Sequence, residues 1–147
     1  MPRRSDYFAA GVKRVLTLAP EEARQGYLSH VGTGHLLLAL IQVDGLAAHI
    51  LTGAGATPED LRTAVDGLVG RGLEPPAEID LTPRARRSVE IAIELARRSA
   101  APRVETEHLL LGVLTDGGIA TQALQSLGVD PDAVRAAAAG SSSAGDG

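Results

Sequence analysis

Two histidines of this sequence are candidates for metal binding or proton transfer. His35 lies in the phrase VGTGHLLLAL and His108 in the phrase VETEHLLLGV, where the carboxylates of Glu105 and Glu107 add further possible ligands. A metal site needs three or four converging ligands with hydrogen-bonding partners behind them, and no third part of the sequence supplies a matching element. We therefore expect no metal, and we expect both histidines to be structural, hydrogen-bonded to nearby backbone.

A second candidate is a cluster of positive charge at the start of a predicted helix. Thr82 is followed by Arg84, Arg86 and Arg87, although cations are disfavoured in the first turns of a helix. An anion bound to the free N–H groups of the helix start would relieve this conflict. The alternative, which the physics alone favours, is a solvated helix face on which Arg86 pairs with Glu90.

The composition argues against several classes of function. The sequence contains no cysteine, so disulfides and thiolate metal sites are excluded, and nucleophilic catalysis has few candidate residues. The net charge is -4 and aromatic residues make up 2% of the chain, which argues against nucleic-acid binding. Because no apolar run is long enough for a signal peptide or a membrane span, we expect a cytoplasmic protein with no membrane contact. We expect neither an enzyme nor a cofactor.

The elements that must position these residues come from an internal repeat. Shifting the sequence by 73 residues aligns the two histidine phrases and many flanking positions without a gap. The matching pairs include Thr33 with Thr106, Gly45 with Gly118, Ala47 with Ala120, Leu51 with Leu124, Gly55 with Gly128, Pro58 with Pro131 and Arg62 with Arg135. The repeat predicts two copies of one helical unit, each of which completes the core of the other.

Each copy is predicted to contain four helices, which gives an all-α fold of eight helices with pseudo-twofold symmetry. Thr82 and Pro83 begin one helix, and Thr57 and Pro58 begin another. Pro20 lies inside the first predicted helix and should kink or split it. We predict no strand of useful length. The TEHLLLGVL segment is apolar all round, as a buried helix is.

These elements predict one domain over residues 1–139. Repeat 1 covers about residues 6–70, and repeat 2 covers about residues 81–139. The glycine- and proline-rich segment of about residues 71–80 is the predicted linker. The glycine- and serine-rich residues 140–147 are the predicted flexible tail.

The order of LAPEEAR, VGTGHLLLAL, LTPRARR, VETEHLLLGVL and GVDPDAVR resembles the Clp N-terminal domain, the double-repeat module that precedes the ATPase rings of ClpC and ClpA unfoldases. The resemblance covers roughly residues 6–139. It implies a domain that docks substrates and adaptors for regulated proteolysis. There is no phosphate-binding loop of an ATPase in the sequence. We expect a free-standing protein rather than a detached domain, and the Ala, Gly and Arg content is compatible with an actinobacterial source.

The resemblance also implies a pocket in each repeat for phosphoarginine, a degradation mark on proteins. In repeat 2 the implied pocket contains Thr82, Arg84, Thr106 and Glu107, with the carboxylate on the guanidinium. Glu105 stands there in place of a glycine and adds negative charge. In repeat 1 the pocket is degenerate: Thr33 remains, Gly34 has no carboxylate, and Ala9 replaces a threonine.

A third implied site is a groove between the repeats, where actinobacterial members of the family bind cyclic-peptide antibiotics. Here the groove residues would be Phe8, Leu81 and Arg86, with Leu81 in place of the usual phenylalanine. We therefore expect a non-catalytic binding protein that is an accessory or competitor of a ClpC-type unfoldase. The alternatives are a decoy for a cyclic-peptide antibiotic and the detached N-terminal domain of a complete Clp ATPase.

Overall fold

A computed structural model describes residues 7–115 and 117–144, with the side chains of residues 141–144 outside the description. The described residues form eight helices, which confirms the predicted all-α fold of two four-helix repeats. The helices are α1 (Ala10–Gln25), α2 (Thr33–Gln42), α3 (Leu46–Gly53), α4 (Pro58–Val69), α5 (Pro83–Arg98), α6 (Thr106–Thr115), α7 (Ile119–Ser126) and α8 (Pro131–Ala144).

The predicted helix starts are confirmed by their caps. The hydroxyl of Thr82 accepts a hydrogen bond from the N–H of Ala85 at 3.0 Å, and Thr57 does the same for Asp60 at 3.1 Å. Proline follows each threonine, where its missing N–H costs nothing. Pro20, in contrast, does not split its helix: α1 continues through it from Ala10 to Gln25.

The last helix is longer than the sequence suggests. We place the end of the repeat at Ala139, yet α8 continues to Ala144 and so includes the first residues of the predicted tail. Four consecutive alanines from 136 to 139 have the highest helix propensity, which favours continuation across Gly140. Residues 145–147 of the predicted tail lie outside the described residues.

Two short parallel strands were not predicted. β1 (His30–Val31) pairs with β2 (Asp80–Leu81), with Val31 opposite Leu81. An isolated bridge joins Phe8 to Val104. The two pairings are equivalent by the 73-residue repeat, since Phe8 corresponds to Leu81 and Val104 corresponds to Val31. The segment before the first helix of each repeat therefore pairs with the segment before the second helix of the other repeat.

The core is built around α2 and α6. Every residue of α2 from Thr33 to Ile41 is buried, and α6 is buried from His108 to Leu114, as the apolar sequence predicts. α1 packs on α2 and α5 on α6 as two helical hairpins. Among the described residues, no single helix is long and apolar enough to cross a membrane, and α2 with α3 meets those criteria only as a pair bent by 96°.

The third helix of each repeat ties the two repeats together. α7, from repeat 2, packs against α2 and α4 of repeat 1. α3, from repeat 1, packs against α6 and α8 of repeat 2. Neither repeat can bury its apolar surface without the other, so the two should fold as one unit.

The two aligned threonines hold these exchanged helices by their first turns. The hydroxyl of Thr106 accepts a hydrogen bond from the N–H of Ala47 in α3, and that of Thr33 accepts one from the N–H of Ala120 in α7, both at 3.2 Å. Both threonines are buried: Thr33 is 2% exposed and Thr106 is 4% exposed. Each repeat thus caps a helix of the other.

The residue at the N-cap position of α3 must be small for this exchange to form. Gly45 has no side chain to cap α3 itself, and a Cβ atom placed on it would lie 2.9 Å from the Thr106 hydroxyl. An ordinary N-cap serine or asparagine would collide with the threonine. The glycine and the threonine therefore act together as one cap shared between the repeats.

We predict that Thr106→Val lowers the free energy of unfolding by about 1–2 kcal/mol, because the buried N–H of Ala47 loses its acceptor. Urea unfolding followed by circular dichroism measures this. Thr33→Val should have a similar effect through Ala120. The matched control is Thr17→Val, whose exposed hydroxyl bonds within its own helix and which should change stability by less than about 0.5 kcal/mol. Equal effects of Thr106→Val and Thr17→Val would contradict the shared cap.

Candidate functional site

The two histidines have the structural role that the sequence favours. Nδ1 of His35 accepts a hydrogen bond from the N–H of Gly32 at 3.1 Å, and Nδ1 of His108 accepts one from the N–H of Glu105 at 2.9 Å. Both rings are buried. Each closes the turn in front of its own helix, which confirms the expected backbone hydrogen bond. Within residues 7–115 and 117–144, no group of three acidic or histidine side chains converges as a metal ion requires.

An ion pair with a buried carboxylate, Glu22, and a partly exposed arginine, Arg62, lies beside His35 in repeat 1. The carboxylate of Glu22 accepts hydrogen bonds from Arg62 at 2.8 Å and from Gln42 at 3.0 Å, and its side chain is 4% exposed. Burial alone would raise the pKa of Glu22, but these hydrogen bonds and the nearby positive charge hold it below its usual value. In repeat 2, Leu95 stands at the position of Glu22, so this polar network belongs to repeat 1 alone.

Burial lowers the pKa of His35 below its usual value of 6.5, against the opposing charges of Glu22 and Asp66. The unfolded chain therefore binds more protons than the folded protein as the pH falls below about 6.5. We predict that the urea midpoint decreases from pH 7 toward pH 5.5. It should decrease again below pH 4.5, where the unfolded chain protonates Glu22 before the folded protein does. A midpoint that is constant between pH 7 and pH 5.5 would contradict the buried neutral state of His35.

The four residues of the implied phosphoarginine pocket in repeat 2 do not lie together. The N–H of Thr82 donates to the carbonyl of Val31 at 2.9 Å, and a Cβ atom placed on Gly32 would lie 3.9 Å from Cγ2 of Thr82. The side chains of Arg84 and Thr33 both lie against Gly118, since a Cβ atom placed on this glycine would contact each of them. Thr82 and Arg84 therefore face the start of α2, in repeat 1.

Thr106 and Glu107 lie at a different place, at the start of α6. The hairpin of α5 and α6 brings Ser88 against Gly112, so the start of α5 lies near the end of α6. The ten residues of α6 separate its two ends by about 14 Å. Beside Thr106 lies Gly11, where a Cβ atom would be 3.1 Å from the threonine methyl group.

The implied pockets are thus assembled crosswise between the repeats. The site of Thr82 and Arg84 faces Gly34, which has no carboxylate. The site of Glu107 faces the start of α1, where Ala9 has no hydroxyl; Ala9 bonds through its N–H to the carbonyl of Val104 at 2.9 Å. The Thr106 hydroxyl is already used as the shared cap. Neither site combines the carboxylate of Glu107 with the threonine that precedes α5, Thr82.

The space beside Gly34 is filled by two side chains. A Cβ atom placed on Gly34 would lie 2.7 Å from Cγ2 of Ile119 and 3.0 Å from Cγ1 of Val65. At the equivalent positions around Glu107, Ala138 replaces Val65 and Leu46 replaces Ile119. Repeat 2 thus combines the larger Glu107 with the smaller Ala138, whereas repeat 1 combines Gly34 with the larger Val65. The two sites therefore differ in packing as well as in charge.

We predict that Gly34→Ala destabilises the protein by about 1–3 kcal/mol, because the added methyl group overlaps Ile119 and Val65. Val65→Ala, combined with it, should recover part of that loss by making the space that Ala138 leaves in repeat 2. A double-mutant cycle by urea unfolding measures the coupling. Additive effects of the two substitutions would show that Val65 does not fill this space.

The basic cluster on α5 is paired differently from the sequence prediction. Arg86 lies 3.3 Å from the carboxylate of Asp80 in β2, and the expected partner Glu90 is not involved. The strand brings Asp80 to the start of α5, which a sequence without predicted strands could not indicate. Further along α5, Arg97 and Arg98 both pair with Glu94 at 3.2 Å.

A groove of about 520 Å³ lies between the repeats at the end of α5. Of the three predicted groove residues, Phe8 lines this groove and Leu81 and Arg86 do not. Leu81 pairs instead with Val31 on β1. The remaining lining residues are Tyr7, Ile93, Ala96, Arg97, Ala101, Pro102, Arg103 and Val104. The floor is apolar, and the two arginines supply positive charge.

The groove contains residues that sequence reasoning missed. The repeat alignment contained a signal for them: Ala101 corresponds to Leu28, a partly buried side chain packed against the core. A small residue where the other repeat has leucine leaves space beside Phe8. The groove therefore combines Tyr7 and Phe8 of repeat 1 with the smaller Ala101 of repeat 2.

The sequence model of the Clp repeat (R) N-terminal domain matches residues 7–98 and 80–146. Chaperone protein ClpC1, chloroplastic, from Oryza sativa subsp. japonica is 43% identical over 125 residues, which is 83% of this chain and 14% of that protein. The negative regulator of genetic competence ClpC/MecB from Bacillus subtilis is 38% identical over 130 residues, 87% of this chain and 16% of that protein. This chain therefore spans about one seventh of the length of these relatives.

Solved structures agree with these matches. The N-terminal domain of the caseinolytic protease associated chaperone ClpD from Arabidopsis thaliana superposes with a TM-score of 0.78 at 26% identity, covering 92% of this chain and 94% of that one. A ClpV N-domain in complex with a VipB peptide has the same fold, with a TM-score of 0.66 at 14% identity over 88% of this chain and 83% of that one. With its doubled histidine phrase and its interlocked four-helix repeats, this chain belongs to the Clp repeat N-terminal domain family.

Proposed function

We infer that this chain is a non-catalytic module that binds a peptide segment of a protein partner. It would act in the cytoplasm as an accessory or competitor of a ClpC-type unfoldase in regulated proteolysis. Its partner is the unfoldase, an adaptor or a substrate protein. Binding of this kind needs no cofactor, metal, nucleic acid or membrane.

The single observation that carries this proposal is the groove around Phe8. A concave, mostly apolar space of about 520 Å³ is large enough for one or two side chains of a peptide. Phe8 supplies an aromatic wall, and Arg97 and Arg103 add two charged groups that can orient a ligand. The ClpV N-domain bound to a VipB peptide is a precedent for peptide binding on this fold.

Phosphoarginine recognition is less well supported as the mode of binding. The carboxylate of Glu107 and the hydroxyl of Thr82 lie at different helix starts, so one ligand would lack either its guanidinium partner or its phosphate partner. Glu105 is exposed next to Glu107 and adds negative charge beside any phosphate bound there.

The groove also keeps two alternatives open. A cyclic-peptide antibiotic could occupy the apolar space beside Phe8, and the chain would then be a decoy that spares an unfoldase. In the other alternative the chain is the N-terminal domain of a longer Clp ATPase, as in relatives where the matched region is 14–16% of the protein. The same groove would serve in each case.

We predict that the purified chain slows degradation of an unfolded protein by a ClpC unfoldase–protease, because it competes for a partner. The Ala101→Leu variant should need about tenfold more protein for the same inhibition, since leucine fills the groove as Leu28 does in repeat 1. Degradation of a fluorescent unfolded substrate over a concentration series measures both effects.

The matched control is Leu81→Ala, because Leu81 is the repeat equivalent of Phe8 and lies outside the groove. It should inhibit like the wild type, whereas Phe8→Ala should be weakened. Equal inhibition by wild type and Ala101→Leu would refute the groove as the binding site. Unchanged degradation together with tight, groove-dependent binding of a cyclic peptide would favour the decoy instead.

A further inference from the structure

The linker between the repeats carries an unusually exposed leucine. Leu73 is 98% exposed, more than any other large apolar residue of the described chain; the next, Tyr7, is 53% exposed. It is followed by Glu74 and by two prolines, Pro75 and Pro76. Single exposed leucines are common on protein surfaces, so exposure alone does not define a site. The way the loop is held makes this leucine different.

The loop that contains Leu73 is anchored at both ends on repeat 1. At one end the N–H of Gly72 donates to the carbonyl of Gly26 at 2.9 Å, and at the other the N–H of Asp80 donates to Ser29 at 3.0 Å. Before the first anchor, Arg71 stacks on the ring of Tyr27 at 4.6 Å. The two prolines restrict the backbone between the anchors. The anchors and the prolines reduce the conformational entropy that the loop loses when Leu73 and Glu74 bind.

The chemistry of this loop is complementary to the groove around Phe8. The loop offers an aliphatic side chain followed by the carboxylates of Glu74 and Glu78. The groove offers an apolar floor with Arg97 and Arg103 in its lining. Arg97 already pairs with Glu94, but Arg103 makes no ion pair with any described residue. An acidic, aliphatic segment is thus the kind of ligand that the groove fits.

We propose that the groove binds the Leu73–Glu74 segment of a second copy of this chain. Leu73 would enter the apolar space beside Ala101, and Glu74 would pair with Arg103. The segment does not occupy the groove of its own chain, because Leu73 is almost fully exposed there. This self-association uses the same groove as the proposed partner binding, so a second copy and a partner peptide would compete. It does not require an unfoldase.

Sedimentation velocity over a concentration series tests the proposal with the full chain. Wild type should show a concentration-dependent shift from monomer to larger species. Leu73→Ala should weaken this association by about tenfold or more. The matched control Leu68→Ala changes another exposed leucine, 41% exposed on α4, and should leave association unchanged. Circular dichroism verifies that each variant is folded.

A charge exchange tests the predicted pairing of Glu74 with Arg103. Each single variant, Glu74→Arg and Arg103→Glu, should weaken self-association, and the double variant should recover much of it. Ala101→Leu, which fills the groove, should remove association while leaving Leu73 exposed. An equimolar mixture of Ala101→Leu and Leu73→Ala should associate, because one copy still offers the loop and the other the groove.

Three results would overturn the proposal: a wild-type chain that is monomeric at every concentration, association insensitive to Leu73→Ala, or no recovery in the charge exchange. Loss of association in Ala101→Leu but not in Leu73→Ala would mean that another segment of the second copy fills the groove. None of these results decides whether the groove also binds an unfoldase partner, which the degradation assay measures separately.

Discussion

The exchange of helix caps between Thr33 and Thr106 is the interaction on which the arrangement of the two repeats depends. Each hydroxyl accepts the N–H of a helix that belongs to the other repeat, Ala120 in α7 or Ala47 in α3. A buried N–H without an acceptor is costly, so the exchange fixes the position of each third helix on the partner repeat. This exchange explains why the threonine-histidine phrase is repeated. In each copy the threonine caps a helix of the other repeat, and the histidine closes the turn before its own helix.

The crosswise arrangement explains why the two repeats offer different surfaces. Any site at a helix start takes residues from both repeats, so a change in one repeat alters a site that the other shares. Gly34 leaves room for Val65 and Ile119, which seal the space that a carboxylate would need. In repeat 2, Ala101 does the reverse and opens a groove beside Phe8.

Most of the fold could be predicted from the sequence, because the threonine–proline helix starts and the apolar periodicity are local signals and the 73-residue repeat doubles them. The strand pairs and the partner of Arg86 could not be, since they depend on which segments meet in space. The residues of the candidate site were harder to predict, because they too depend on which segments meet in space. The family resemblance implies one pocket that contains Thr82 and Glu107, whereas the hairpin of α5 and α6 holds these residues at opposite ends. The pairing of Val31 with Leu81 places Thr82 at the start of α2 instead.

Ligand sites shared crosswise between the repeats leave no complete pocket for phosphoarginine. Titration of ¹⁵N-labelled protein with free phosphoarginine, followed by amide chemical shifts, tests this most directly. We expect no saturable shift of the amides of Glu107 and Thr82 in the wild type, or of Thr82 in Glu107→Ala, at millimolar ligand. Saturable shifts of Thr82 and Glu107 together, lost in Glu107→Ala, would contradict this account and show that the two residues act on one ligand.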